Sequence, residues 1–252
     1  MCRDCGCGLL EAADHDHQHD HDHQHDHDHQ ATRTIEVRRR ILAHNDDLAS
    51  SLRRRFSDNQ VLAVNIVSSP GSGKTELLAR TMTEQANEWS MAAVTGDLAT
   101  ENDATRLAST GSLAKQILTG TMCHLETNMV ADAIAEWDLA ALDFLFIENV
   151  GNMVCPSDFD LGEDFRVMLV STTEGEDKPL KYPTLTISSN VAVINKIDIA
   201  DAVECDVDLL EHNLREVRPD IEIVRVSART GEGIEQWLAI LRSRFEAKTG
   251  TN

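Results

Sequence analysis

The run Ser68-Ser-Pro-Gly-Ser-Gly-Lys-Thr75 concentrates residue types suited to holding a polyphosphate. Gly71 and Gly73 let the backbone N–H groups around Ser72 turn toward phosphate oxygens, at the start of a helix whose partial positive charge favours an anion. Lys74 is placed to reach the β- and γ-phosphates, and the Thr75 hydroxyl to ligate Mg²⁺. Ser68 stands where such loops usually have glycine. It begins the turn and need not approach the phosphates most closely.

Two later segments resemble the guanine-reading motifs of P-loop GTPases: Asn195-Lys-Ile-Asp198 and Ser227-Ala-Arg229, each ending a hydrophobic run. A carboxylate at Asp198 can accept from both N1–H and the 2-amino group of guanine, whereas adenine would leave it unpaired, which favours GTP and GDP over adenine nucleotides. Lys196 is expected along the base, and the Ala228 N–H at the guanine carbonyl. Glu148-Asn-Val-Gly151 stands where many GTPases have Asp-x-x-Gly, the acid holding Mg²⁺ through water and the Gly151 N–H sensing the γ-phosphate. Glutamate at that place resembles the branch of P-loop proteins that dimerise around nucleotide. Asp97 is there a Mg²⁺ ligand, direct or through water; its alternative reading is a plain turn residue.

Soft donors form a second set. Cys123 and His124 are adjacent, just before a helix expected near Thr127, and Cys155 follows Gly151 closely. Thiolate and imidazole suit Zn²⁺ or Ni²⁺, and three ligands leave a place for water, a further side chain or a second subunit. As single residues the same three read as a small buried hydrophobe or a hydrogen-bonded core histidine. At the other end, Cys2-Arg-Asp-Cys5-Gly-Cys7 packs three thiols where one ion could reach all of them. From Asp14 the chain repeats Asp-His-Asp-His-Gln-His, so that eight of the eleven histidines alternate with acids or glutamine in a chelating tract with no apolar residue.

Positioning these groups calls for a sheet. Apolar runs at Val61–Val67, Met91–Thr95, Asp143–Ile147, Val167–Ser171, Val191–Asn195 and Ile221–Val226 alternate with helical stretches, the pattern of a mostly parallel sheet flanked by helices in an α/β P-loop NTPase fold. Val130, Ile134, Trp137 and Ala141 repeat at helical spacing and are expected to face the core. A final helix is expected near Ile234–Phe245. The organisation expected is a disordered metal-binding tail over 1–33, a lead-in helix over 34–57 with Ile41, Leu48 and Leu52 on one face, and a nucleotide domain over 58–250.

Composition narrows the partners. A formal charge of -20 would repel nucleic acid or an anionic membrane surface. No apolar stretch reaches the roughly 20 residues of a spanning helix and no secretory signal opens the chain, so a cytoplasmic protein with reduced thiols is expected.

Taken together, the N-terminal Cys-x-x-Cys-x-Cys, the His-rich linker, the phosphate loop, Glu148-Asn-Val-Gly-Asn152 with Cys155 after it, Thr173-Glu-Gly-Glu-Asp-Lys-Pro-Leu-Lys-Tyr-Pro183 and Asn195-Lys-Ile-Asp198 resemble the hydrogenase nickel-incorporation GTPases of the HypB family over nearly the whole chain. The resemblance implies a high-affinity nickel site at Cys2, Cys5 and Cys7. It implies a second site, for nickel or zinc, at Cys123, His124 and Cys155 on a GTP-favoured homodimer interface. It further implies delivery of Ni²⁺ to the [NiFe]-hydrogenase large subunit with a partner nickel chaperone. The alternatives are nickel storage with secondary GTPase activity, and urease-directed insertion. The latter is disfavoured by Ser157 after Cys155-Pro156, where the urease relative has histidine, and by the N-terminal thiols.

Overall fold

A computed structural model of the chain describes residues 24–98 and 102–250. Cys2, Cys5, Cys7 and the first part of the histidine repeat lie outside the described residues.

Among the described residues seven strands form one sheet: β1 (Leu62–Ser68), β2 (Met91–Asp97), β3 (Leu113–Leu118), β4 (Phe144–Glu148), β5 (Phe165–Ser171), β6 (Val191–Asn195) and β7 (Glu222–Arg225). Their order is β3-β2-β4-β1-β5-β6-β7, and every pairing is parallel. The helices are α1 (Gln24–Asp58), α2 (Lys74–Glu84), α3 (Asn102–Ala108), α4 (Thr127–Ala133), α5 (Lys178–Lys181), α6 (Pro183–Ser188), α7 (Val207–Val217) and α8 (Ile234–Thr249). This is the helix-flanked parallel sheet of a P-loop NTPase.

Both faces of β1 are covered, which is why its sequence reads as an apolar run broken only by Asn65 before Ser68 ends it. Leu62, Val64 and Ile66 pack with Leu77 and Leu78 of α2 and Trp237 and Leu238 of α8. The buried Trp237 indole N–H donates to Thr81 Oγ1 at 2.9 Å. Val61 and Ala63 turn the other way, to Leu52 and Phe56 of α1 and Val130 of α4. Farther along that face Leu185, Leu210 and Leu214 from α6 and α7 cover β5 and β6.

The structure departs from the sequence reading in three elements. First, β3 has no counterpart among the expected strands. It is an edge strand whose ends Leu113 and Leu118 are exposed, and its Leu-Ala-Lys-Gln-Ile-Leu lacks the β-branched density of a central strand. Second, the helix expected through Ala141 ends at Ala133. Ile134 leaves helical geometry, Asp138 starts a separate 3₁₀ turn by accepting from Ala140 N, and Ala141 is exposed. The chain must turn there to enter β4, whose register on β1 and β2 overrides the local period. Third, α1 runs from Gln24 rather than Thr34; Leu52 and Phe56 are buried on it while Ile41 is half exposed.

Candidate functional site

The sheet's carboxyl edge collects the chemistry. The phosphate loop leaves β1, Asp97 ends β2, Glu148 ends β4, Asn195 ends β6 and Ser227 follows β7, the edge at which open parallel sheets hold ligands. Gly73 has φ of 102° at the N-cap of α2, and a Cβ there would collide with the Asn195 side-chain amide. Glycine is therefore required twice over, by conformation and by space. Lys74 is buried and donates to Ser68 Oγ at 3.0 Å. Burial holds its ammonium below the ordinary lysine range, opposed by the carboxylates of Glu148, Asp103, Glu174 and Asp97.

Thr75 Oγ1 donates to Glu148 Oε1 at 2.8 Å and lies 3.0 Å from Asp103 Oδ1. Burial raises the Glu148 carboxyl to about 7, with Asp103 and Asp97 adding to the rise against Lys74 and the Thr75 hydrogen bond. Its second oxygen, Oε2, is buried without a hydrogen-bond partner. Asp97 and Asp103 line the same cleft of about 380 Å³ together with the phosphate loop and Gly151. A hydroxyl and three carboxylates, one of them with an orphaned buried oxygen, fit the hard oxygen set that Mg²⁺ takes. Asp103 was not among the expected ligands; it lies on α3, and no local motif marks it.

The residues expected to read guanine also converge. Asn195, Lys196, Asp198, Ala228 and Arg229 line a neighbouring cleft with Gly73. Lys196 has φ of 64° and donates from Nζ to Gly71 O at 2.8 Å, laying its stem between the two loops. Asn195 is a structural bridge: Nδ2 donates to Ser72 O at 2.9 Å and Oδ1 accepts from Ala228 N at 3.0 Å. The Ala228 N–H expected at the guanine carbonyl is thus engaged by Asn195. Ser227 is buried, and its Oγ accepts from Thr230 N at 3.0 Å, closing that turn.

Three of the expected soft donors meet beyond the same edge, after β3 and β4. Cys123, His124 and Cys155, separated in sequence, bring one donor atom each to within 4.8 Å of one another. Cys123 and His124 lie between β3 and α4, and Cys155 opens a 3₁₀ turn beyond β4. Helix α1 frames this pocket. Asn45 donates to Asp160 O at 2.7 Å and accepts from Thr127 N at 3.0 Å, and Arg53 pairs with Asp160. His124 is 3% exposed and stacks on Phe159, ring centroids 3.9 Å apart. Burial lowers its pKa below the ordinary histidine range against the opposing pull of Glu126 and Asp158, leaving a neutral imidazole with a lone pair to give.

One segment belongs to both sites. Glu148 faces the cleft, while Asn149 Oδ1 accepts from Leu125 N at 3.2 Å and from Val150 N at 3.0 Å. Gly151 lies against Pro70 of the phosphate loop, where a Cβ would stand 2.9 Å from Pro70 Cα. Asn152 Nδ2 donates to Cys123 O at 3.2 Å. Asn149 and Asn152 were not singled out from sequence; a polar residue directly after a buried strand was the available signal.

A family model described as CobW/HypB/UreG, nucleotide-binding domain, matches residues 62–225. Hydrogenase maturation factor HypB of Azotobacter vinelandii is 46% identical over 208 residues, 82% of this chain and 69% of that protein. The chain belongs to the HypB family. Its relative from Escherichia coli K12 is 43% identical over 234 residues, covering 93% of this chain and 81% of that one. The crystal structure of HypB from Helicobacter pylori in complex with nickel superposes with a TM-score of 0.77 at 35% identity, over 81% of this chain and 95% of that one. Among the described residues no helix is long and apolar enough to cross a membrane.

Proposed function

We propose that this HypB-family chain is a GTPase and nickel metallochaperone. It hydrolyses GTP to GDP and phosphate and uses that turnover to time delivery of Ni²⁺ to the [NiFe]-hydrogenase large subunit, together with a partner nickel chaperone. The observation that carries the reading is the segment Glu148-Asn-Val-Gly-Asn152, which joins a phosphate and Mg²⁺ cleft to a Cys123/His124/Cys155 donor set within one hydrogen-bonded stretch. Nickel in the Helicobacter pylori relative supports the choice of metal.

Lys74, Thr75, Glu148 and Asp97 carry the phosphate and Mg²⁺ roles, and Asp198 with Lys196 reads guanine. Cys123, His124 and Cys155 hold Ni²⁺ or Zn²⁺ as cargo. Their three donors are completed by water or by the second subunit of a GTP-favoured homodimer. Cys2, Cys5 and Cys7 form a separate nickel site in the tail.

The test is nickel titration of the full chain with Cys2, Cys5 and Cys7 replaced by alanine, at free nickel buffered too low to load the histidine repeat, once with GDP and once with a non-hydrolysable GTP analogue. Inner-site affinity should differ between the two states by about 5- to 150-fold, with the reciprocal effect of nickel on nucleotide affinity. Identical affinities, or no loss in Cys155→Ala, would defeat the reading.

A further inference from the structure

His124 is the member of the soft-donor trio with two donor atoms, so its ligating nitrogen depends on what the other one meets. Nδ1 lies 4.0 Å from Cys123 Sγ. Nε2 is buried without a hydrogen-bond partner, and Glu126 Oε1 stands 3.7 Å from it. The ring has little freedom to turn over, being 3% exposed and stacked on Phe159 with the planes 26° apart.

Glu126 is itself unusual for its place. It occupies the N-cap of α4 with an extended backbone, yet its side chain makes no capping hydrogen bond. A shorter aspartate, asparagine, serine or threonine there would reach the first N–H groups of the helix. The longer glutamate carries its carboxylate past them toward the imidazole, at the rim of a cleft it lines with His44 and Asn128.

We propose that Glu126 is a positioning residue for metal binding: it accepts the Nε2–H of His124, fixes that tautomer, and so presents the Nδ1 lone pair to an ion held by Cys123 and Cys155. The inference rests on the trio being a metal site. A ligating imidazole ordinarily donates its second N–H to a carboxylate or carbonyl, which orients the ring and raises its basicity. Here the carboxylate is already beside the right atom. Closing 3.7 Å to hydrogen-bond distance asks only for a small torsion of the glutamate. The stacked Phe159 and the Glu126 carboxylate then hold the ring by its face and its edge.

The decisive measurement is the histidine tautomer in the zinc-loaded full chain carrying alanine at Cys2, Cys5 and Cys7. Long-range ¹H–¹⁵N NMR is read on ¹⁵N-histidine protein, with His124 assigned by difference against His124→Gln. A proton on Nε2 and a metal-bound Nδ1 are expected. Zn²⁺ affinity is then measured by chelator competition, at free zinc too low to load the histidine repeat. Glu126→Ala should bind about 10- to 100-fold more weakly. Glu126→Gln should recover part of that loss, because its amide oxygen still accepts the same N–H. A metal-bound Nε2, or parental affinity in Glu126→Ala, overturns the positioning role while leaving the site intact. Parental affinity in Cys155→Ala overturns the site itself, so the two failures are distinguishable.

Discussion

The nucleotide cleft and the soft-donor pocket sit at one edge of the same sheet but are built differently. In the cleft the groups come from the ends of strands β1, β2, β4 and β6 and largely hold one another: Lys74 on Ser68, Thr75 on Glu148, Asn195 across from Ser72 to Ala228. In the pocket the donors come from connections. Cys123 and His124 follow the exposed edge strand β3, and Cys155 opens a 3₁₀ turn. What steadies them is α1, through Asn45 and Arg53, together with Arg166 of β5, which donates to Ser157 O and Phe159 O. A binding site fixed by central strands stays where it is when its ligand changes. A site hung on loops can respond, and the shared segment Glu148-Asn-Val-Gly-Asn152 supplies something to respond to.

The contrast breaks most visibly on the cleft side. Lys74→Ala removes a preorganised cation from the phosphate position, and GTP turnover should fall about 100- to 1,000-fold in a phosphate-release assay. Metal affinity in the GDP state should be unchanged, since among the described residues the Lys74 ammonium donates to Ser68 and no hydrogen bond runs from it to the pocket. A comparable loss of metal binding would mean that the two regions are not separable. Asp198→Asn tests base reading without touching the phosphates. If Asp198 pairs with the guanine 2-amine as proposed, the amide would meet the 2-carbonyl of xanthine instead, so preference should shift from GTP toward XTP by roughly tenfold or more. Retained preference for GTP would remove Asp198 from the base site.

The link between the regions is sharpened by Asn149→Ala. The substitution leaves the buried Leu125 N–H without its acceptor at a cost of about 1–3 kcal/mol, visible as a lowered midpoint in urea. Nucleotide and nickel affinities measured separately should each stay within a few-fold of the parent. Their coupling should collapse from the 5- to 150-fold range to about twofold. Coupling that survives would place communication on the Gly151–Pro70 contact or on Asn152 instead.

The same contrast explains what could be read before folding. The phosphate loop was legible because its chemistry is local: two glycines, a lysine and a threonine do their work within one turn. Central strands were legible because burial on both faces leaves them mostly apolar, with Asn65 and Arg166 among the few buried exceptions. Cys123, His124 and Cys155 were legible as residue types, while their convergence within 4.8 Å is a product of topology. Asp103 and Asn149 were not, because each meets its partner across a gap that only the β2-β4-β1 order closes, and Glu126 was not because no motif marks a glutamate at a helix N-cap as a neighbour of a donor imidazole. The helix expected through Ala141 failed for the same reason: pairing of β4 on both neighbours outweighed a local period. Edge strand β3, paired on one side only, left too weak an apolar signal.

The smallest expected effect concerns how α1 steadies the pocket. Burial pushes the Asp160 carboxyl up, but the Arg53 hydrogen bond and the Gly162 N–H outweigh it, and the group sits below its ordinary value of 3.8. A depressed carboxyl contributes stability that is present above its unfolded pKa and lost as pH falls through the folded one. The relevant window therefore lies below about pH 4, and at neutral pH the contribution is at its full value. The pair is more than one-third exposed on both sides, so screening by solvent limits it to about 1 kcal/mol or less. Asp160→Asn should lower the urea midpoint slightly at pH 7, and the difference from the parent should shrink progressively as pH falls below about 4. Because Asp160 O also receives Asn45 and Thr127, the backbone latch remains in this variant. Zinc affinity at Cys123, His124 and Cys155 should then move by no more than about twofold. A larger change would show that the Arg53–Asp160 pair, and not the Asn45 latch, sets the position of the turn that carries Cys155.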